Sequence, residues 1–368
     1  MQAQLCNPAA VFVSNGEVFI ADMNNHRVRK VLRNGQIVTI AGTGLSGYNG
    51  DGQPATSAQL SGPVCVVVSS SNQVYISESS HRIRKIDQNG IISTIAGTGE
   101  AGYNGNGYRQ LAVNAKLNFP RGLFVTEDEE VFIADMSNHR IRKIDRNGII
   151  TTIAGTSARS KKKKLSQAGK YQLATSTPIL NPTSVFQYKN EIYLTDMGNN
   201  VIRKISQDGK ITTINTKEGN NALDNMDMSP YFIVVFNDEL FVSYHGKHMV
   251  RKIHLSNGTV ETLIGNGNAG SSGDGSLAIH ALLHHPATIF VDDSQVYIAE
   301  YSNNRIRRID RNGIVDTIVG TGERGYSGDV PFDFSKYPHI GPKTKQLIKP
   351  FPKALFDITI RTDSDSEY

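Results

Sequence analysis

The 368-residue chain repeats one pattern six times. Each unit begins with a proline, runs through two apolar segments separated by a short polar turn, and reaches an arginine on a third segment. Successive arginines are 55, 58, 61, 48 and 56 residues apart. The prolines are Pro8, Pro63, Pro120, Pro182, Pro230 and Pro286, and the arginines are Arg29, Arg84, Arg142, Arg203, Arg251 and Arg307. A period this regular indicates one structural unit copied along the chain.

The second unit shows how each copy is built. Its apolar run at residues 64–68 is typical of a buried strand, and three further strands are predicted at residues 74–77, 81–87 and 91–96. An Asn-Gly or Asp-Gly pair separates the last two strands in all six units. We expect this pair to form a two-residue type I′ turn, in which both central residues have positive φ. Each unit is therefore predicted to be a four-stranded antiparallel meander.

A four-stranded sheet of this kind cannot bury two apolar faces by itself. Six sheets arranged around an axis bury each face against the next sheet, so the sequence predicts an all-β, six-bladed β-propeller over residues 1–330. A solenoid would require helices or single strands in each repeat. The predicted blades are residues 7–60, 61–117, 118–180, 181–229, 230–283 and 284–330.

The repeat pattern stops after Val330. Residues 351–356 are similar to residues 119–124, which begin the third unit. We interpret residues 331–368 as a C-terminal tail that contains a truncated seventh repeat. The alternative is a tail with one accidental match.

Composition excludes several classes of protein. With only two cysteines, Cys6 and Cys65, the chain has no disulfide framework. The first residues lack the charged and apolar regions of a signal peptide, and no apolar stretch approaches 18 residues. We therefore expect a soluble, cytoplasmic protein without membrane insertion. The net charge of +5 is compatible with nucleic acid or acidic partners but indicates neither.

Three motifs carry a resemblance to a known family. Ile-Ala-Asp-x-x-Asn-His-Arg-(Val/Ile)-Arg-Lys occurs at residues 20–30 and 133–143, and Ile-Ala-Gly-Thr-Gly at residues 40–44 and 95–99. Gly-Tyr-Asn-Gly-Asp-Gly occurs at residues 47–52. Together they resemble NHL repeats of the kind found in teneurin-like and microbial β-propeller proteins. The resemblance covers residues 5–330 and implies the propeller fold. It leaves function open, because the family includes adhesion scaffolds, binders of ligase substrates and RNA binders.

An acidic residue ends the second strand in five units, and the repeated arginine lies on the third strand. We expect each carboxylate to accept hydrogen bonds from the following turn and to pair with the buried arginine. The alternative is a ring of carboxylates that binds cations. The acidic residues are Asp22, Glu78, Asp135, Asp196 and Glu300, and the fifth unit has Tyr244 at this position.

Four histidines lie at equivalent positions between the second and third strands: His26, His81, His139 and His248. A shared metal ion is not expected, because equivalent positions in different blades lie too far apart unless they line the axis. The glycine-rich connections, such as residues 47–52, precede no helix and lack the ligand pattern of a calcium loop. We therefore predict no metal ion and no cofactor, and we expect compact turns there.

An enzyme site in a propeller of the lactonase or lyase type would lie at the axial mouth, where the first strands begin. The residues that follow the six prolines include no carboxylate and no histidine: Ala9, Val64, Arg121, Thr183, Tyr231 and Ala287. A metal hydrolase needs converging ligands of those types. The sequence therefore favours a protein without catalytic activity, and an enzyme of this type is the alternative.

The leading prediction is a monomeric scaffold that binds a protein partner through one face of the ring. We call this the loop-rich face; it carries the turns between the second and third strands and the connections between blades. The opposite face carries the nearly identical Asn-Gly hairpins. Candidate binding residues on the loop-rich face are Arg121, Tyr231, His26, His81, His139, His248, Lys161, Lys162, Lys163 and Lys164. The lysine run predicts RNA binding as a second alternative, but a solvated, flexible insertion is the favoured interpretation, and the run lacks interleaved aromatic residues.

Overall fold

The computed structural model describes residues 3–105, 109–156, 172–214, 229–292 and 295–330. Six antiparallel sheets follow one another along the chain, and within each sheet the long strands are hydrogen-bonded in sequence order. The prediction of a six-bladed β-propeller is confirmed. The strands of the first three blades are Pro8–Ser14, Glu17–Asp22, Arg27–Val31 and Ile37–Ala41; Pro63–Val68, Val74–Glu78, Arg82–Ile86 and Ile91–Ala96; and Pro120–Val125, Val131–Asp135, Arg140–Ile144 and Ile150–Ala154.

The other three blades repeat the meander. Their strands are Val185–Tyr188, Glu191–Asp196, Val201–Ile205 and Lys210–Thr213; Phe232–Phe236, Glu239–Tyr244, Met249–His254 and Val260–Ile264; and Pro286–Val291, Val296–Glu300, Arg305–Ile309 and Ile314–Val319. Short 3₁₀ turns connect the second and third strands at Met23–Asn25, Met136–Asn138, Met197–Asn199 and His245–Lys247. Among the described residues, no helix is long and apolar enough to cross a membrane.

In the described parts of the chain, three blades have five strands, where the sequence predicted four. The short strands Gln53–Pro54, Gln172–Leu173 and Ser276–Leu277 pair with the outermost strands of blades 2, 4 and 6. These residues fall within the predicted blades 1, 3 and 5, so each connection belongs in part to the sheet that follows it. A connection that adds a short strand covers an otherwise open sheet edge.

The hairpin between the third and fourth strands is not the expected type I′ turn. Its glycine has a positive φ, for example 77° at Gly90, but the φ of Asn89 is not positive. The amide of Gly90 donates to the carbonyl of Asp87, whose carboxylate accepts hydrogen bonds from the amides of Asn89 and Ile91. This is a type I turn followed by a left-handed glycine. The side chain of Asp87 stabilises it, because it satisfies two amides of the loop.

The hydrophobic core is divided among the blade interfaces. Six clusters of buried apolar side chains were found in the described parts of the chain, and each joins two neighbouring blades. One of them contains Ala3, Leu5 and Ile37 together with Tyr297 and Val319, so blade 6 packs against blade 1. The stability of the ring therefore depends on contacts between neighbouring units.

The segment that follows blade 6 closes the ring. The amides of Thr321, Gly325 and Val330 donate to the carbonyls of Ala3, Leu5 and Ile37, respectively. The chain thus returns to blade 1 after its last strand. The predicted tail, residues 331–368, and the lysine run at Lys161–Lys164 lie outside the described residues, and both remain predictions.

Candidate functional site

The repeated arginine and the repeated carboxylate form an ion pair inside five blades. Arg29, Arg84, Arg142 and Arg307 are completely buried, as are the carboxylates they approach. The nitrogen–oxygen distances are 3.5 Å for Arg29 and Asp22, 3.9 Å for Arg84 and Glu78, 3.6 Å for Arg142 and Asp135, 3.1 Å for Arg203 and Asp196, and 3.5 Å for Arg307 and Glu300. The expected pairing is therefore present in all five.

Each carboxylate also holds the backbone around it. Asp135 accepts a hydrogen bond from the backbone amide of Asn118, which lies just before the first strand of the same blade. It accepts another from the side-chain amide of Asn138, in the turn that follows the second strand. Burial raises the pKa of Asp135 to about 6, while these bonds and Arg142 oppose that shift. The acidic residue thus connects the entry of a blade, its second strand and its third strand, which is a structural role.

The glycine-rich connections complete this arrangement in three blades. Asp51, Asp274 and Asp329 approach Arg84, Arg307 and Arg29 at 2.8, 2.7 and 2.5 Å, respectively. In blade 5, where Tyr244 replaces the carboxylate, the guanidinium of Arg251 lies 6.0 Å from the tyrosine ring. The connections therefore supply a second counterion to a buried arginine.

The four predicted histidines are half-buried, and each makes the same hydrogen bond to the next blade. Each has a left-handed backbone, with φ between 50° and 64°, and its Nδ1 accepts the amide that precedes the proline of the next blade. Asn200 and Asn304 do the same with a side-chain oxygen. The pairs, donor first, are Gly62 and His26 (3.1 Å), Phe119 and His81 (3.0 Å), Asn181 and His139 (3.2 Å), Ser229 and Asn200 (2.5 Å), His285 and His248 (3.1 Å), and Asn7 and Asn304 (3.0 Å).

We call these six bonds the blade latches. A ring nitrogen that accepts a hydrogen bond carries no proton, so each latch histidine is neutral with its proton on Nε2. Burial lowers the pKa values of His26, His81 and His248 accordingly. This shared contact explains why histidine or asparagine recurs here. A role of these residues in binding a partner remains a prediction.

The Gly-Thr-Gly motif makes room for a row of stacked side chains on the loop-rich face. A Cβ at Gly99 would lie 2.1 Å from the guanidinium of Arg82, so a larger residue would displace that side chain, and the positive φ of 88° also favours glycine. The same guanidinium lies 4.1 Å from the ring centre of Tyr48. Arg27 and Tyr326, at 3.8 Å, and Arg140 and Tyr103, at 3.7 Å, repeat the stack in blades 1 and 3.

The axial mouth brings together two predicted residues from blades that are not neighbours. Nη1 of Arg121, in blade 3, donates to the phenolic oxygen of Tyr231, at the start of blade 5, over 2.8 Å. The ring of Phe119 lies 4.7 Å from the same guanidinium. Because blade 4 lies between them, this bond spans the mouth at the inner end of blade 4.

Three further rings extend from Tyr231, of which His245 contacts it and the other two contact His245. His245 lies 4.8 Å from Tyr231, is stacked on His285 at 4.5 Å with an interplanar angle of 14°, and lies 6.0 Å from Tyr301. Burial, with a smaller contribution from His285 and Arg121, lowers the pKa of His245 to about 3, so its imidazole is neutral. The mouth cluster consists of Phe119, Arg121, Tyr231, His245, His285 and Tyr301, all half-buried.

Sequence analysis missed most of this cluster. It considered only the residue after each proline, which identified Arg121 and Tyr231. Phe119 and His285 come directly before the prolines that begin the third and sixth units, Pro120 and Pro286. His245 and Tyr301 come directly after the second strands of the fifth and sixth blades. A comparison of these two positions across the units would have shown that these residues depart from the repeat, but not that they contact one another. Among the described residues, no group of three or more His, Cys, Asp or Glu side chains is arranged to hold a metal ion.

Comparison with known proteins gives consistent results. A family model described as the teneurin NHL domain matches residues 44–104, 101–218 and 191–333. Teneurin-1 of Gallus gallus is 27% identical over 342 residues, and teneurin-1 of Homo sapiens is 28% identical over the same length. Both alignments cover 81% of this chain but only 12% of the relative. The chain therefore spans a small part of the curated relatives it matches.

Solved structures share the fold at low identity. Virginiamycin B lyase from Staphylococcus aureus superposes with a TM-score of 0.52 and 19% identity, over 84% of this chain and 83% of the lyase. A protein of unknown function from Bacteroides thetaiotaomicron has a TM-score of 0.56 and 16% identity, over 84% of this chain and 70% of that chain. At these identities the similarity concerns the propeller fold alone.

Proposed function

Because the chain belongs to the teneurin NHL domain family, we propose that it is a non-catalytic scaffold that binds a protein partner through its loop-rich face. The ring supplies a rigid platform, since each blade is tied to its neighbour by an apolar cluster and a blade latch. Binding residues are commonly placed on loops that such a scaffold positions.

The row of tyrosine–arginine stacks is the observation that carries this proposal. Tyr48 and Tyr326 remain 41% and 42% exposed although their rings lie on guanidinium groups. Tyrosine and arginine are enriched among the residues that dominate binding energy at protein interfaces. A ring that is already held in place loses little conformational freedom on binding. The stacks lie in blades 1, 2 and 3, so they form one continuous arc.

The opposite face offers less to recognise. Its turns between the third and fourth strands are short, and three of them share the same hydrogen bonds, with Asp87, Asp145 and Asp310 each accepting two amides of its own turn. Nearly identical small turns provide few anchors for a specific interface.

Paired surface variants test the proposal once a partner has been captured with the full chain as bait. The loop-rich face is altered by Tyr48→Ala with Tyr326→Ala, and separately by Arg121→Glu with Tyr231→Ala. The matched control carries Asn89→Lys and Asn312→Lys on the opposite face. We expect affinity to fall at least about tenfold for the first two proteins only, which corresponds to the loss of one anchor residue. A loss of binding confined to the control protein, with all variants folded, would contradict the proposal.

An enzyme with its site at the mouth is the second candidate function. The observation that favours it is the neutral imidazole of His245, which lies beside Tyr231 and is influenced by Arg121. A neutral imidazole with so low a pKa is a weak base, but its ring N–H can donate a hydrogen bond that polarises a substrate carbonyl. The test is turnover of a panel of lactones and esters, compared with a His245→Gln variant. Activity that depends on His245 would reverse the order of the two candidates.

A further inference from the structure

We propose that the mouth cluster is a binding site for a carboxylate group, in which Arg121 receives the anion and the surrounding rings contact the body that carries it. The carboxylate could belong to an acidic side chain of a protein partner or to a small organic acid. Only the first source rests on the proposed scaffold function.

The charge of Arg121 favours an anionic ligand. It is half-buried, its Nη1 donates to the neutral phenol of Tyr231, and its Nε is buried without a hydrogen-bond acceptor among the described residues. No described carboxylate lies within 4.0 Å of it, whereas Arg29, Arg84 and Arg307 each have two such neighbours. A guanidinium partly withdrawn from water in this way gains from an incoming anion, because charge-assisted bonds to a carboxylate are strong.

Uncharged rings surround Arg121. Phe119 and Tyr231 flank its guanidinium, and His245 continues the wall to His285 and Tyr301. None of these groups carries a negative charge, and the buried imidazole of His245 is neutral. Arg121 therefore sets the sign of the local field, and the rings provide flat apolar surfaces for the rest of the ligand.

The position of the cluster on the loop-rich face favours access by a ligand. The bond between Arg121 and Tyr231 joins blades 3 and 5, so the pair lies where the inner strands of these blades begin, on the loop-rich face. All six members of the cluster are partly exposed. We therefore expect an acidic group that approaches the loop-rich face to meet the guanidinium of Arg121.

The experiment uses the full chain and small probes of known chemistry. Benzoate is titrated in a buffer of low chloride content, and the ring signals of His245 and His285 are followed by NMR, assigned with His245→Gln and His285→Gln. Benzamide, which is similar in shape but neutral, is the comparison probe. We expect saturable shifts of these signals with benzoate and much smaller shifts with benzamide.

Variants identify the group that responds. Arg121→Gln should weaken benzoate binding at least about tenfold, the factor that corresponds to one charge-assisted hydrogen bond, while Arg121→Lys should retain part of it. Arg311→Gln, which removes the same charge from an exposed hairpin on the opposite face, should leave the titration unchanged. Thermal unfolding of each variant shows whether it is folded.

A second titration with an acetylated, amidated aspartyl dipeptide distinguishes the two sources of the carboxylate. Binding of both probes supports recognition of an acidic side chain, and binding of benzoate alone supports a small aromatic acid. The inference is overturned if neither probe gives a saturable shift, if benzamide binds as well as benzoate, or if folded Arg121→Gln retains the affinity of the unaltered protein. These outcomes do not depend on whether a protein partner exists.

Discussion

At the scale of single residues, the most repeated feature of the chain is a buried pair of opposite charges. Arg142 and Asp135 are both completely buried, and the two atoms of closest approach are 3.6 Å apart. Taking a guanidinium and a carboxylate out of water is costly, so each member depends on the other and on nearby backbone groups. The pair therefore ties the third strand of the blade to the end of the second strand.

Replacing one member of this pair should destabilise the ring. We expect Arg142→Ala to lower the free energy of unfolding by about 3–5 kcal/mol, because Asp135 is left as a buried charge without its partner. Arg146→Ala is the matched control in the same blade, since Arg146 is 62% exposed and pairs with Asp128 at the surface; its cost should be below about 1 kcal/mol. Urea denaturation measures both. Equal midpoints for the two variants would show that the buried pair has no special role.

At the scale of the structural elements, the turn between the second and third strands joins one blade to the next. The histidine that ends this turn has a left-handed backbone, which asparagine also adopts readily. Asn200 and Asn304 make the same latch with an oxygen that does not titrate. The latches of His26, His81 and His248, whose pKa values are lowered, are therefore sensitive to pH, and the two asparagine latches are not.

The substitution His81→Asn should reduce the acid sensitivity of the protein. The pKa of His81 is lowered in the folded state, so the unfolded chain binds more protons as the pH falls below about 6.5. The stability supplied by the neutral histidine is complete above that pH and is lost as the pH falls through the folded-state pKa. We expect Tm to decrease less between pH 7 and pH 5 in His81→Asn than in the unaltered protein.

The measurement must be a difference between proteins, because buried carboxylates act in the opposite direction. Burial raises the pKa of Glu78 to about 7, so its contribution to stability falls as the pH rises from about 4 to 7. The contribution of Glu78 is present in both proteins, so it cancels when their changes in Tm are compared. As a control, His81→Ala should lose about 1–3 kcal/mol at pH 7, because the amide of Phe119 then has no acceptor. Identical pH profiles for the unaltered protein and His81→Asn would argue against the latch.

At the scale of the whole molecule, the ring is closed by a short return of the chain. Residues 321–330 contribute three backbone bonds to blade 1, and Asp329 supplies the second carboxylate of Arg29. The same connection elsewhere links a blade to the next one in sequence. Here it links the sixth blade to the first, so blades 1 and 6 are held by contacts between distant parts of the chain.

Removing this return should loosen the interface between blades 6 and 1. We expect a chain ending at residue 320 to be less stable than a chain ending at residue 330 by at least about 2 kcal/mol, since the carbonyls of Ala3, Leu5 and Ile37 lose their donors. The longer chain is the matched control, because it retains every described contact of the return. Differential scanning calorimetry compares the two. Equal Tm values would mean that the return contributes little to closure.

The sequence by itself determined the features that recur in every unit. The strands, the order of strands within a blade and the pairing of Arg84 with Glu78 follow from patterns that span fewer than 61 residues and are copied six times. Such features are local, because each unit must satisfy its own backbone and bury its own faces. The type I turn at Asp87 was also encoded locally. It was missed because the Asn-Gly pair was considered without the aspartate before it.

The tertiary structure alone decided the mouth cluster and the closure of the ring. Arg121 and Tyr231 are 110 residues apart, and they meet only because six blades place their inner ends around one axis. His245 and His285 occupy positions that other units fill with different residues, so the repeat pattern contains no signal for their contact. The physical reason is that a period specifies equivalent positions, whereas a site of unlike residues depends on how those positions converge in space.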